Sequence, residues 1–329
     1  MTRTARLRAY AKLNLGLRVL YKRPDGYHEL RTVFQTISLA DTLNVRFTRA
    51  RQTRIEIEGT PEIPDNLVEK ATRLALEAME IHGDVRFQLR KNIPSGAGLG
   101  GGSSDAAAVL LALPVLAGRV IPAAQLFPLA AQLGSDVPFF LEGGTALGLG
   151  RGEELYPLPS HRVPYALLIA PRVHSSTAEA YRDLSGQLTS IALQNKLQSF
   201  QQQLWRGSGV PGFSIDENDF EPVVFARHPE LKKIRERLVR AGATVAAMTG
   251  SGSSLFGIFR DAAALERAKK LFDRDSIEER VFPISFVSGR QYRSAWNRSL
   301  RPYLGAKMTA AAKPGTIKND IWPPRSAHA

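Results

Sequence analysis

The sequence of 329 residues contains no cysteine. That excludes disulfides and thiolate metal sites, and it fits a reducing cytoplasm. Nor is there a run of 18 apolar residues, so no membrane-spanning helix is expected. The opening residues, MTRTARLRAY, lack the apolar core of a secretory signal. The six histidines are dispersed without an H-E-x-x-H pair, which leaves no zinc helix to expect. Acidic residues are in the minority: 31 Asp and Glu face 44 Lys and Arg, a net charge of +13. A basic chain attracts anions. Its cations are scattered through periodic segments rather than gathered in an arm, which favours phosphorylated metabolites over nucleic acid as partners.

What is present in abundance is glycine, at one place. Pro94 to Ala108 reads PSGAGLGGGSSDAAA, five glycines and three serines ahead of strong helix formers. Glycine lets backbone approach an anion closely, and a helix start presents unpaired N–H groups and a positive dipole end. Ser103, Ser104 and Asp105 are all candidates to cap that helix. The loop is no P-loop, because Ser103, not lysine, follows Gly102. Gly96, Gly98 and Gly101 fit G-x-G-x-x-G, yet no Asp or Glu lies between Asp105 and Asp136 to hold a ribose. Sequences of the H-R-D and D-F-G type are also missing, which excludes a protein kinase.

A hydrophobic content of 43% supplies a core for about two domains. Leu7–Leu20 and Leu30–Leu39 read as strands around a Pro24-Asp25-Gly26 turn, followed by alternating strands at Leu43–Phe47, Arg54–Glu58 and Val85–Ile93. Asn66–His82 has helical spacing, with Gly83 as its stop. Helices are expected at Ser103–Leu116 and Pro122–Leu133, and a strand at Gly144–Leu149. The second half reads as a strand at Tyr165–Ala170, helices at Thr177–Leu184, Ser190–Trp205 and Pro229–Ala241, and a loop at Gly207–Gly212. It continues with strands Thr244–Met248 and Leu255–Phe259 around a second glycine turn, a helix Ala262–Phe272 and a closing strand Val281–Val287. That order suggests a split βαβ, ferredoxin-type layer. From Arg301 the chain is basic and aperiodic, the signature of a disordered tail.

Three further segments carry polar groups in places that ask for a reason. Lys12 and Asn14, two apart in an apolar strand, share a face; an exposed edge strand would show the same pattern. Tyr27 and His28 follow the Asp25-Gly26 turn, where an aromatic ring and an imidazole can hold a planar base; a plain hairpin turn would also fit. Asp136 stands between Gly134 and the apolar Val137-Pro138-Phe139-Phe140, where a carboxylate needs a partner, a capping role or a chemical one.

Together these segments resemble the GHMP kinases, small-molecule kinases. The resemblance rests on AKLNLGL at Ala11–Leu17, RPDGYHEL at Arg23–Leu30, PSGAGLGGGSSDAA at Pro94–Ala107, GSDVPFF at Gly134–Phe140 and MTGSGSS at Met248–Ser254, in the family's order. Ser95 departs from the bulkier apolar residue common there, and the tail has no counterpart in the motifs. The match is closest to the branch acting on a cytidine-diphosphate-linked methylerythritol in the non-mevalonate isoprenoid route. The resemblance implies an α+β fold: a ribosomal-protein-like N-terminal domain over residues 1–162, a split βαβ domain over 163–300 and a tail over 301–329. It implies ATP and Mg²⁺ as cofactors, with the metal's protein ligands unassigned.

By the same resemblance Asp136 would take the hydroxyl proton, while Lys12 would stabilise developing charge and hold Asp136 ionised. Asn14 would orient the methylerythritol. Tyr27 and His28 would hold the cytosine, with Tyr181 either stacking on the other face or serving the core. Pro94, Ser95, Gly96, Ala97, Gly98, Leu99, Gly100, Gly101, Gly102, Ser103 and Ser104 would wrap the ATP phosphates, with the Thr249–Ser254 turn beside them. Other readings stay open at this point: a homoserine- or mevalonate-type kinase, though neither substrate carries a base for Tyr27 and His28; a basic RNA-binding protein sharing the first fold; or a kinase fold that has lost catalysis, against which Lys12 and Asp136 speak.

Overall fold

A computed structural model describes residues 1–59, 66–160, 162–173, 175–185, 215–275 and 279–304. The helix expected at 190–205, the loop at 207–212 and the tail from 305 lie outside the described residues.

Two very long strands organise the molecule. β1 (Thr2–Lys22) and β2 (His28–Arg49) pair antiparallel along their lengths. β1 alternates exposed and buried residues as far as Ala9, as a strand with one wet face does, and then is buried without a break from Tyr10 to Leu17. The change has a cause. Ala11, Leu13 and Leu15 are covered by a second sheet, through Ala166, Leu168, Ala247 and Phe256, while Leu7 and Ala9 join a core built with helices. The sequence reading divided β2 at about Ala40. It is one strand because β4 (Gly83–Arg90) pairs with its residues 42–49 and β5 (Thr145–Leu149) with its residues 32–35, so each half finds its own neighbour. β3 (Arg54–Glu58), parallel to β4, and β6 (Glu154–Pro157), antiparallel to β5, complete a sheet ordered β3-β4-β2-β5-β6 with β1 on β2.

Helices α1 (Leu67–Ala78), α2 (Gly101–Ala117), α3 (Ala123–Leu133) and α4 (Val137–Glu142) follow within the same layer. α1 is capped by Asn66, whose side chain accepts from the Val68 N–H, and it ends at Met79. Gly83, read as its stop, is instead the first residue of β4. α2 is apolar around its whole circumference, and nearly every residue from Ser104 to Leu116 is buried.

The second sheet holds β7 (Ala166–Pro171), β8 (Val245–Met248), β9 (Leu255–Ile258) and β10 (Glu279–Ile284) in the order β10-β7-β9-β8, all antiparallel. Between them run α5 (Thr177–Ser185), α6 (Glu221–Arg227), α7 (Pro229–Arg240) and α8 (Ala262–Asp275). This is the split βαβ order that the sequence suggests. Leu231, Ile234 and Leu238 of α7 and Leu265, Ala268 and Phe272 of α8 join one core with Leu167, Ile169 and Leu255 of the sheet.

The chain then returns to the first layer. α9 (Gly289–Leu300) packs Tyr292, Trp296 and Leu300 into the core of the first sheet, and Tyr292 Oη donates to the Phe140 carbonyl at 2.5 Å. Residues 301–303 form a short 3₁₀ turn, tied back where Tyr303 Oη donates to the Thr4 carbonyl at 2.8 Å. The start of the expected tail is therefore ordered, and the expected end of the second domain packs on the first sheet. No helix among the described residues is long and apolar enough to cross a membrane.

Candidate active site

Residues 94–100 of the glycine-rich loop lie between β4 and α2, and none of the three expected side chains caps the helix. Ser103, Ser104 and Asp105 lie inside α2, whose N-cap is Gly100 in the left-handed conformation with φ 68°, with no side-chain cap. Glycine is needed there twice over: a Cβ would meet the Phe140 ring at 2.8 Å and Lys12 Cγ at 3.2 Å. Gly98 (φ +74°) lies under the second glycine turn, where a Cβ would come within 2.8 Å of the Thr249 carbonyl oxygen and 2.9 Å of that of Gly252. The turn is thus beside the loop, as expected. Lys12 N–H donates to the Leu99 carbonyl at 3.1 Å, tying the loop to β1.

Lys12 follows a register shift between Tyr10 and Lys12, a bulge of the kind that re-aims side chains. Lys12 and Asn14 share a face, and the Lys12 Nζ donates to Asn14 Oδ1 at 2.6 Å. The same ammonium lies 3.3 Å from Asp136 Oδ2. Lys12 is 5% exposed, while the Asp136 side chain keeps 30% exposure, open enough to meet a substrate. Asp136 owes its place to α4, which starts at Val137 and buries Val137, Phe139, Phe140 and Leu141. Asn14 is fixed from three sides. Its Nδ2 donates to Thr32 Oγ1 at 2.9 Å, its N–H to Thr249 Oγ1 at 2.8 Å, and its Oδ1 accepts from Lys12. Thr32 was not singled out from the sequence and Thr249 only as part of its glycine turn, because their bonds to Asn14 depend on a strand register and a turn supplied by remote residues.

The turn after β1 is set by Asp25, whose Oδ1 accepts the Tyr27 N–H at 3.1 Å, and by Arg23, which pairs with Asp25 and Glu29, each at 3.1 Å. Tyr27 is 55% exposed, with the Arg151 guanidinium 4.7 Å over its ring. His28 stacks on Tyr181 with ring centroids 4.8 Å apart, and Phe220 meets the Tyr181 edge at the same distance. No third ring fits between His28 and Tyr181 at that spacing. Burial, then the Lys22 charge, lowers the His28 pKa, keeping the imidazole neutral near pH 7. Burial and then the Asp136 charge push the Tyr181 phenol well above its ordinary range.

A further cluster lies at the loop's base. Lys91 Nζ contacts both Asp41 and Asp105. Burial raises the Asp105 pKa to about 7, against the lowering effect of Lys91. Ser104 Oγ and Asp105 Oδ1 are buried without a hydrogen-bond partner.

A buried lysine beside a half-open carboxylate, set against a glycine loop at a helix start, can support phosphoryl transfer to a hydroxyl. The model for the GHMP kinases N terminal domain matches residues 66–144, and that for the GHMP kinases C terminal matches residues 203–274. The 4-diphosphocytidyl-2-C-methyl-D-erythritol kinase of Solibacter usitatus is 51% identical over 331 residues, covering 99% of this chain and 98% of that protein. The basic tail, without counterpart in the family's motifs, therefore falls within that alignment. The kinase of the same name from Moorella thermoacetica is 41% identical, covering 79% of this chain and 92% of its own.

A crystal structure of 4-(cytidine 5'-diphospho)-2C-methyl-D-erythritol kinase superposes with a TM-score of 0.69 at 37% identity, covering 87% of this chain and 99% of that one. Homoserine kinase from Cytophaga hutchinsonii shares the fold, with a TM-score of 0.65 at 22% identity. The chain belongs to the GHMP kinases, ATP-dependent phosphotransferases with an alcohol as acceptor, and within them to the 4-diphosphocytidyl-2-C-methyl-D-erythritol kinase family.

Proposed function

We propose that this chain transfers the γ-phosphate of ATP to a hydroxyl of 4-diphosphocytidyl-2-C-methyl-D-erythritol, with Asp136 and Lys12 at the reacting centre. The observation that carries the residue assignment is the Lys12–Asp136 contact of 3.3 Å at the rim of the glycine loop. The acceptor hydroxyl gives its proton to Asp136 as its oxygen attacks the γ-phosphorus. The bond from that phosphorus to the β-γ bridging oxygen breaks, and ADP leaves. General-base assistance of this kind is worth about 10²–10⁴ in rate. Lys12 places a fixed positive charge beside the forming bond. Asn14, held by Thr32, Thr249 and Lys12, orients the methylerythritol. Backbone N–H groups of residues 95–103 receive the phosphates.

Mg²⁺ would neutralise the charge of those phosphates. The residues fit it. Ser104 offers a buried hydroxyl without a hydrogen-bond partner at the start of α2. No group of three or more His, Cys, Asp and Glu is placed to hold a metal alone among the described residues. The ion's oxygen ligands would therefore come largely from the phosphates.

Tyr27 offers an open ring face for the cytosine, and neutral His28 would read its polar edge. Tyr181 backs His28, or reaches the base once the two rings part. Stacking is worth about 1–3 kcal/mol per base. Tyr27→Ala is therefore expected to raise KM for the cytidine substrate about 5–150-fold, with KM for ATP little changed. Equal effects on the two KM values would remove the base from that turn.

A further inference from the structure

Lys91, Asp41 and Asp105 take no part in the chemistry above, yet they set two buried carboxylates around a half-buried ammonium at the base of the loop. Lys91 directly follows β4, Asp41 lies in β2, and Asp105 lies in the first turns of α2. Lys91 Nζ donates to Asp105 Oδ2 at 2.7 Å and also to Asp41 Oδ2. The other oxygen of Asp41, which is fully buried, accepts the N–H groups of Asn92 at 2.5 Å and Ile93 at 2.8 Å. Ile93 in turn closes on the first residue of α2. A Cβ on Gly101 would stand 3.0 Å from Ile93 Cγ2 and 3.3 Å from Lys91 Nζ.

The strand leading into the loop and the helix leading out of it thus converge on one ammonium. Asp105 Oδ1 meanwhile stays buried with no partner. A buried ion pair gains little over apolar packing, and an unpaired buried oxygen is a cost, so stability alone does not account for the cluster.

We propose that Asp105, Lys91 and Asp41 form a positioning clamp that fixes the Pro94–Gly100 loop against the start of α2 and so sets the affinity for the ATP phosphates. The inference rests on reading that loop as the ATP site. Loop donors hold phosphate well when they are aligned beforehand, because ordering a loop on binding is subtracted from affinity. The clamp acts at the loop's two ends. The Leu99 carbonyl bonded to Lys12 and the carbonyls over Gly98 hold its middle.

Asp105→Asn keeps the side chain's shape and removes the charge that holds Lys91. Lys91→Arg keeps the charge and displaces it, so it carries the same test should the first variant fold poorly. Well below the unfolding midpoint, each is expected to raise KM for ATP at least about fivefold and to weaken calorimetric ADP binding in step, a loss of about 1 kcal/mol. KM for the cytidine substrate and kcat at saturating ATP should stay within about twofold, a split that general loosening of the fold would not produce.

Unchanged ATP KM and ADP affinity, or an equal rise in both KM values, would overturn the clamp. Gly98→Ala, inside the loop, separates this inference from the reading beneath it. If Gly98→Ala alone loses ATP affinity, the clamp is wrong and the loop remains the ATP site. If none of the three variants changes ATP affinity, the loop reading fails as well.

Discussion

Asp136→Asn is expected to lower kcat by at least about a hundredfold, while the fold and ATP binding stay close to those of the unaltered chain. The substitution keeps the side chain's size and the N-terminal position on α4, and it removes the capacity to accept a proton together with the negative charge that faces Lys12. The expected factor is the usual worth of a positioned general base, about 10²–10⁴. Folding is spared because Asp136 is 30% exposed, so the asparagine amide remains hydrated where it loses Lys12. Single-turnover phosphoryl transfer, measured beside ADP binding, separates the two effects. Near-normal turnover would take Asp136 out of the base role, and lost ADP binding would mean that the substitution had disturbed the loop.

Lys12→Met is expected to cost about 10²–10³ in kcat, the range seen when one preorganised charge-stabilising donor is removed from an active site. Its effect on stability is a balance. Methionine fills much of the same space and relieves the desolvation of an ammonium that is only 5% exposed. Against that, Asn14 Oδ1 loses the donor at 2.6 Å, a buried acceptor left unpaired at about 1–3 kcal/mol. The two terms oppose each other, so thermal unfolding should move by only a few degrees while turnover collapses. A loss of turnover that simply tracked a large drop in the unfolding midpoint would assign Lys12 a structural role.

The segments of the candidate site were legible because each is local. The glycine loop, the Asp25-Gly26 turn, the Lys12–Asn14 pair and the Asp136 link are short stretches whose residue types leave few alternatives. What the sequence could not show depends on remote partners. β2 runs through Asp41 because different strands pair with its two halves. The helix after the loop is capped by Gly100 rather than by a serine, since the left-handed turn at that position already sets the helix start. Asp105 is drawn to Lys91 instead of to the helix N-terminus.

α9 was missed although its signals are present. Ser288 and Gln291 form a capping box, and Tyr292, Trp296 and Leu300 recur at four-residue spacing. Its arginines and the basic stretch after it hid an amphipathic helix. The Lys91 cluster joins Asp41 to a lysine 50 positions away in the chain, a pairing that no local pattern reports. The His28–Tyr181 stack likewise unites a hairpin turn with a helix of the other layer.

The central claim is that ATP and a cytidine-linked alcohol meet at Lys12 and Asp136. It is tested most directly by ADP release with a panel of alcohols at fixed ATP and Mg²⁺. The panel comprises 4-diphosphocytidyl-2-C-methyl-D-erythritol, methylerythritol without the nucleotide, homoserine and mevalonate. The account predicts ADP release with the first alone and a phosphate monoester on its methylerythritol. Turnover of homoserine or mevalonate with none on the cytidine substrate would contradict it.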